Sequence, residues 1–110
     1  MTDALSEAQF QQLADDLYMQ IEDALDECNV DIDCEAAGSV LTLLCEDTDT
    51  QVIVSRQPVS KEIWVAARSG GFHCAYQEGR FICSTTQETL QALLDRVLTE
   101  QSDSKVTLGL

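Results

Sequence analysis

Apolar residues recur at helical spacing near both ends of the chain. The first stripe comprises Phe10, Leu13, Leu17, Ile21, Leu25 and Cys28. Steps of three and four residues keep these side chains on one face of an α-helix. Ser6 and Gln9 have the spacing of a capping box, and Leu5 can pack on Phe10 as a hydrophobic staple. We therefore expect the first helix to begin just after Ser6.

A second apolar stripe lies near the C-terminus and comprises Leu90, Leu93, Leu94, Val97 and Leu98. It predicts a second amphipathic helix. We place the start of this helix near Thr85, because Glu88 follows three residues later in the manner of a capping box.

The hydrophobic period changes to two between the helices, which indicates β-strands. The acids Asp31, Asp33 and Glu35 alternate with Ile32, Cys34 and Ala36, so the first strand has one acidic and one apolar side. Further strands are predicted at 40–45, 51–55, 63–67, 72–76 and 80–83, with turns at 46–49, 70–71 and 78–79.

Consecutive strands joined by short turns form an antiparallel sheet, and two amphipathic helices can cover one of its faces. The sequence therefore predicts an α+β fold. We expect a two-layer sandwich in which two helices pack on one face of a five- to six-stranded antiparallel sheet, in the order helix–strands–helix.

The bulk composition favours a small cytoplasmic domain. A length of 110 residues fits a single domain, residues 1–110. No apolar stretch is long enough to span a membrane, and no secretory signal is visible. The five cysteines are Cys28, Cys34, Cys45, Cys74 and Cys83. This number is odd and none is in a Cys-x-x-Cys pair, so we expect reduced thiols in the cytoplasm, serving as small core residues.

The net charge of −14 is confined to the N-terminal half of the chain. Residues 1–55 contain 14 acids and no Lys or Arg, whereas residues 56–110 contain six acids and six bases. Contacts to phosphate need Lys and Arg, so we do not expect binding to nucleic acid. The charge favours cations or a basic protein surface as ligands.

The acids of the first helix lie opposite its apolar stripe and continue into the first strand. They are Asp15, Asp16, Glu22, Asp23, Asp26 and Glu27, followed by Asp31, Asp33 and Glu35. A run of charge is usually a solvated helix face, but such a face mixes signs and this one has no base. Repulsion between neighbouring acids and their position at the helix C-terminus together cost on the order of 1–2 kcal/mol. This cost favours a function that needs the charge.

Carboxylates without imidazole or thiolate partners suit hard cations such as Mg, Ca, Mn and ferric iron, and less selectively ferrous iron. Because the acids are on the surface, waters would complete each site, and we expect weak, multiple and poorly selective binding. The chain has no Gly-rich phosphate loop and no nucleophile–base pair, so we do not predict an enzyme. We interpret His73, the single histidine, as an ordinary strand residue.

The strand at 63–67 contains the single tryptophan of the chain. Alternation places Ile63 and Val65 on one side, and Trp64 with Arg68 on the other. The aliphatic side is the better core, so we expect Trp64 to be exposed beside Arg68, with Arg56 and Arg80 as candidate neighbours. An exposed Trp among Arg residues is typical of a protein–protein interface. The alternative is that Trp64 is a core residue.

Several short motifs resemble those of the frataxin family, and of its bacterial members in particular. They are Leu13-Ala14-Asp15, Ile32-Asp33-Cys34-Glu35, Val40-Leu41-Thr42, Arg56-Gln57-Pro58, Ile63-Trp64-Val65-Ala66 and Gly70-Gly71-Phe72-His73. The resemblance covers residues 8 to 101.

The resemblance implies a role in iron–sulfur cluster assembly, with a cysteine desulfurase and an iron–sulfur scaffold protein as partners. It implies exchangeable iron, Fe²⁺ or Fe³⁺, as the ligand of the acidic surface, and other divalent cations could bind there too. The implied metal ligands are Glu22, Asp23, Asp26, Glu27, Asp31, Asp33 and Glu35. The implied partner contacts are Trp64, Gln57 and Arg68. We expect a monomer and allow for oligomers induced by metal.

Two hypotheses of different classes follow. The first is an iron-binding regulator or adaptor of cluster assembly. The second is an acidic interaction module that docks on a basic partner surface, with cation binding incidental.

Overall fold

Two helices bracket six consecutive strands in a computed structural model that describes residues 5–28 and 30–108. The elements are α1 (Glu7–Asp26), β1 (Ile32–Ala37), β2 (Val40–Cys45), β3 (Thr50–Gln57), β4 (Glu62–Ala67), β5 (Gly70–Gln77), β6 (Arg80–Cys83) and α2 (Leu90–Ser102). The strands form one antiparallel sheet in chain order, β1 to β6. The predicted α+β two-layer sandwich is confirmed. Neither helix of the described part is long and apolar enough to cross a membrane.

The strand register separates the sheet into two faces. On the inner face, which the helices cover, Val54 lies opposite Val65 and Ile63 lies opposite Cys74. All four side chains are buried in the core. The opposite, outer face includes Trp64, which contributes nothing to this core. The alternation of the sequence therefore decides which side chains the helices leave uncovered.

Helix α1 begins as its sequence predicts. The Ser6 hydroxyl accepts from the Gln9 amide at 3.1 Å, and the Gln9 side chain accepts from the Ser6 amide at 2.9 Å. These two bonds form the predicted capping box. At the other end of α1 the last turn contains no basic residue.

Two predicted boundaries are wrong. Helix α2 begins at Leu90 and not near Thr85, because Thr89 is its N-cap and accepts from the Ala92 amide at 3.2 Å. The backbone of Gln87 is left-handed, with φ of 63°, so the helix cannot extend toward the N-terminus through this residue. The turn predicted at 70–71 lies two residues earlier: Gly70 already pairs with Ala67, which leaves 68–69 as the turn.

A polar contact fixes α1 against the sheet. The Tyr18 hydroxyl donates to the Ser39 carbonyl at 2.8 Å. The guanidinium of Arg56 lies 4.6 Å from the centre of the Tyr18 ring and donates to Gln11 and Asp15, both at 2.8 Å. Arg56 therefore lies on the inner face beside α1, which corrects its expected position near Trp64.

Helix α2 is held at its C-terminal end by Gln101, which is buried. Its amide nitrogen donates to the Gln51 carbonyl at 2.9 Å, and its amide oxygen accepts from the Arg68 backbone at 2.7 Å. The Gln101 carbonyl accepts from the Thr48 hydroxyl. One side chain thus joins α2 to β3 and to the β4–β5 turn.

Gln101→Ala should lower the free energy of unfolding by about 1–3 kcal/mol, because a partly buried backbone amide and a partly buried carbonyl each lose their partner. Chemical denaturation measures this change. Gln20→Ala, at an exposed position of α1, is the control and should change stability by less than about 0.5 kcal/mol. Equal effects of the two substitutions would contradict this role of Gln101.

Candidate functional site: an acidic ridge and an exposed tryptophan

The seven predicted metal ligands, called the acidic ridge from here on, lie along the C-terminal half of α1 and along β1. They are Glu22, Asp23, Asp26, Glu27, Asp31, Asp33 and Glu35, and all seven are exposed. The folding of β1 beside α1 brings the two groups together. A shallow cleft of about 460 Å³ separates α1 from β1, and four of the acids line it: Glu22, Asp23, Asp26 and Asp33.

The other three acids of the ridge lie at its margins. Glu27 lines a second groove, where the end of α1 meets Leu108 near the C-terminus. Asp31 precedes β1, and its carbonyl accepts from the Glu46 amide at 3.1 Å. Glu35 lies further along β1, opposite Thr42. The structure therefore brings four of the predicted ligands around one cleft and spreads the rest over the surrounding surface.

No base neutralises the ridge within the described residues. The ion pairs there are Arg56–Asp15, Arg96–Glu88 and Arg96–Glu100, and none includes a residue of the acidic ridge. Asp15, an acid of α1 outside the ridge, does have a basic partner, since its carboxylate is 2.8 Å from Arg56. That contact depends on the fold, since the two residues are far apart in sequence.

Glu46 is an acid of this surface that the sequence analysis missed. Its interaction with the Asp33 carboxyl, followed by the nearby charges of Asp31 and Asp49, raises the pKa of Glu46 above its usual value. The sequence pattern places Glu46 only in a turn. The signal that could have found it is the antiparallel pairing of β1 with β2, which returns the end of β2 to the start of β1.

The thiol nearest the ridge does not add a soft ligand. Burial, followed by the charges of Glu22 and Asp26, raises the pKa of Cys34 to about 11. Its sulfur therefore stays protonated at neutral pH, whereas a metal ligand must be a thiolate.

The ridge is an open array of carboxylates. Across residues 5–28 and 30–108, no three side chains of His, Cys, Asp or Glu stand close enough together to hold one ion in common. A cation here would keep much of its water shell, as Mg²⁺ and other hard cations do when only one or two carboxylates are offered. The arrangement suits weak and exchangeable binding.

Trp64 is on the outer face of the sheet, with 36% of its surface exposed. Its ring stacks on His73, with ring centres 4.2 Å apart and planes 10° from parallel. Its indole N–H donates to the Glu62 carboxylate at 2.8 Å. The prediction of an exposed Trp64 is confirmed, but the role of His73 was missed. Trp64 and His73 are cross-strand partners on β4 and β5, so the register of these strands was the missing information.

The other residues predicted near Trp64 lie at different places on the sheet. Gln57 follows Ser55, the cross-strand partner of Trp64 on β3, and donates to the Ser55 hydroxyl at 3.3 Å. Arg68 is exposed in the β4–β5 turn. Arg80 begins the edge strand β6 and lines a groove beside α1, which corrects its expected position near Trp64.

Glu46→Gln should raise Tm at about pH 7, where the Glu46 and Asp33 carboxylates repel each other. A raised carboxyl pKa gives stability that is present below the usual carboxyl pKa and is lost as pH rises through the raised value. The gain in Tm should therefore vanish at about pH 4, as measured by thermal unfolding at both pH values.

Glu78→Gln removes one exposed acid from the β5–β6 turn and is the matched control. It should show no such dependence on pH. A lower Tm of Glu46→Gln at neutral pH, or the same change at both pH values, would contradict the proposed repulsion.

The chain is similar to known proteins over almost its whole length. The frataxin-like domain matches residues 3–104. The iron–sulfur cluster assembly protein CyaY of Stutzerimonas stutzeri (strain A1501) is 45% identical over 100 residues, covering 89% of this chain and 90% of that protein. The protein of the same name from Vibrio cholerae serotype O1 is 39% identical over 102 residues, covering 93% of this chain and 97% of that protein.

Solved structures show the same fold. Frataxin from Psychromonas ingrahamii superposes with a TM-score of 0.86 at 31% identity, covering 96% of this chain and 99% of that chain. Trimeric frataxin from Saccharomyces cerevisiae, in a complex with ferrous iron, has a TM-score of 0.68 at 21% identity and covers 94% of this chain and 92% of that chain. From the domain match and these identities together, the chain belongs to the frataxin-like family.

Proposed function

We propose that this chain is an iron-binding regulator and adaptor of iron–sulfur cluster assembly. It binds iron weakly through the acidic ridge and docks on the cysteine desulfurase and scaffold protein through the outer face of the sheet. The observation that carries the proposal is the acidic ridge itself, in which seven exposed carboxylates have no basic partner among the described residues.

The electrostatics of the ridge favour cation binding. Acids at the C-terminal end of α1 oppose the helix dipole, and the raised pKa of Glu46, caused mainly by Asp33, indicates that carboxylates crowd the start of β1. A cation relieves both sources of repulsion. We propose the α1–β1 cleft, with Glu22, Asp23 and Asp26 facing Asp33, as the first position that a cation occupies.

The relatives support iron as the ion. Carboxylates and water select for hard cations without choosing among them. The curated relatives are named as iron–sulfur cluster assembly proteins, and the yeast frataxin was solved in complex with ferrous iron. We propose exchangeable iron, Fe²⁺ or Fe³⁺, with other divalent cations as competitors.

The outer face of the sheet is proposed as the docking surface, centred on Trp64 with Gln57 and Arg68 beside it. His73 and Glu62 hold the indole in one orientation in the free protein. A tryptophan that is already ordered loses little conformational entropy on binding, which suits an interface hot spot.

The second candidate function is an acidic interaction module for which cations are incidental. The specific observation in its favour is that no three possible ligands among the described residues converge on one point. The same carboxylates would then bind a basic protein surface by charge complementarity. The two functions differ in whether iron binds at particular carboxylates of the ridge or interacts only with its overall charge.

Anaerobic titration with Fe²⁺ should perturb the NMR signals of Asp23, Asp26 and Asp33 selectively, because these acids line the α1–β1 cleft. Asp26→Asn should weaken the apparent affinity about 3- to 10-fold, the loss expected when one carboxylate is removed from a weak site. Glu78→Gln carries the same change of charge outside the ridge and should leave the affinity unchanged.

The titration is repeated with NaCl at matched ionic strength. If Fe²⁺ and NaCl shift the same signals uniformly, iron binding at the ridge is refuted and the interaction module is favoured. If Asp26→Asn and Glu78→Gln weaken the affinity for Fe²⁺ equally, the ion responds to the net charge of the protein and not to the carboxylates of the cleft.

Trp64→Ala should weaken binding to the cysteine desulfurase by about 30-fold or more, the usual loss at an aromatic hot spot. Calorimetric titration of the folded variant measures this loss. Stability should fall only modestly, because Trp64 lies outside the buried core. Met19→Ala removes another exposed apolar side chain, 60% exposed on α1, and should bind as the wild type does. Unchanged affinity of Trp64→Ala would reject the docking surface.

A further inference from the structure

Two cysteines face each other across the last two strands. Cys74 on β5 and Cys83 on β6 are register partners, and both side chains are buried on the inner face. The Ser84 amide donates to the His73 carbonyl at 3.0 Å, so the cysteines form a non-hydrogen-bonded pair of the antiparallel ladder. Such pairs have Cα atoms about 4.5 Å apart, which falls within the range of about 4.4–6.8 Å that a disulfide can span.

The surroundings give the two thiols different chemistry. Burial opposes ionisation of Cys83, but hydrogen bonds from Thr85 and Thr86 outweigh it and lower its pKa to about 7. Burial, followed by the nearby Cys83, raises the pKa of Cys74 to about 12. Cys83 is therefore the thiol that ionises near neutral pH, and Cys74, its register partner, remains protonated.

Cys83 is itself fully buried, but it lies beside exposed residues. Its sulfur is 3.4 Å from the Thr85 hydroxyl, and both Thr85 and Thr86 are exposed. Its strand, β6, has four residues and forms the edge of the sheet. A short edge strand opens at low free-energy cost compared with the central strands, which gives a small oxidant access to the sulfur.

We propose that Cys74 and Cys83 are a peroxide-responsive thiol pair that closes a disulfide between β5 and β6. The Cys83 thiolate attacks hydrogen peroxide, the O–O bond breaks, and Cys83 becomes a sulfenic acid while one water is released after proton transfer. The Cys74 sulfur then attacks the sulfenic sulfur, the S–S bond forms, and a second water leaves with the Cys74 proton. Two thiols and one peroxide thus give one disulfide and two waters.

Cys34 and Cys45, two of the other three cysteines, are less suited to this reaction. Burial raises the pKa of both Cys34, to about 11, and Cys45. Neither is a register partner of another cysteine, since Cys34 lies opposite Leu43 and Cys45 lies opposite Ile32 and Thr50. The sheet register therefore favours disulfide formation between Cys74 and Cys83 over a disulfide at Cys34 or Cys45.

The disulfide would affect the outer face of the sheet through β5, because this strand contains both Cys74 and His73. Cys74 follows His73, whose ring stacks on Trp64 and whose carbonyl accepts from Ser84. Closing the S–S bond changes the spacing of β5 and β6 at this pair, which shifts this backbone and the stack with it. Trp64 is the single tryptophan of the chain, so its fluorescence reports the change directly.

The test treats the folded full chain with hydrogen peroxide, blocks the remaining thiols with iodoacetamide, and maps the peptides by mass spectrometry. We expect loss of two of the five free thiols, one peptide linking Cys74 to Cys83, and recovery of both thiols with dithiothreitol. The rate should rise with pH and level off above about pH 7, the pKa of Cys83. Trp64 fluorescence should shift with the same time course.

Cys74→Ala should arrest the reaction at a Cys83 sulfenic acid that dimedone traps, with no shift in Trp64 fluorescence. Cys83→Ala should leave Cys74 reduced. If either variant fails to fold, the peptide map of the wild-type chain decides alone. A wild-type chain in which Cys74 and Cys83 stay reduced, or in which Cys28 or Cys34 is oxidised first, would overturn the proposal.

Discussion

Burial of only one face of the sheet is the constraint on which the rest of the structure depends. Two helices cover the inner face, so the period-two alternation of each strand sends one half of its side chains into the core and leaves the other half outside. Trp64 and His73 are outside for this reason, and the same alternation buries Cys74 beneath them. The coverage also sets α1 beside the edge strand β1, where their acids meet.

The acids that meet there oppose the stability of the fold. Their repulsion within α1 costs on the order of 1–2 kcal/mol, against a typical domain stability of about 5–15 kcal/mol. The core and the contacts of Arg56 and Gln101 offset this cost without neutralising the ridge, because both side chains bind elsewhere. The fold therefore forms with a carboxylate surface that no base among the described residues neutralises. A weakly bound cation can lower the repulsion at this surface.

The sequence predicted the elements that depend on local pattern. The apolar stripes, the capping box at Ser6 and the exposure of Trp64 needed only periodicity. What it could not predict depends on contacts between distant segments. Arg56 on β3 pairs with Asp15 on α1, which lies 41 residues earlier in the sequence. Glu46 lies beside the ridge because β2 pairs with β1. The start of α2 was misplaced because the left-handed backbone at Gln87 has no marker in its side chain.

We propose that the acidic ridge is a surface of unrelieved charge repulsion, which a bound multivalent cation relieves. The most direct measurement is Tm in anaerobic Fe²⁺ compared with Tm in NaCl of the same ionic strength. With Fe²⁺ at about ten times its Kd, binding to the folded state contributes about 1.4 kcal/mol. Tm should then rise by about 5–10 °C above the NaCl value. Equal Tm values in the two salts would contradict the account.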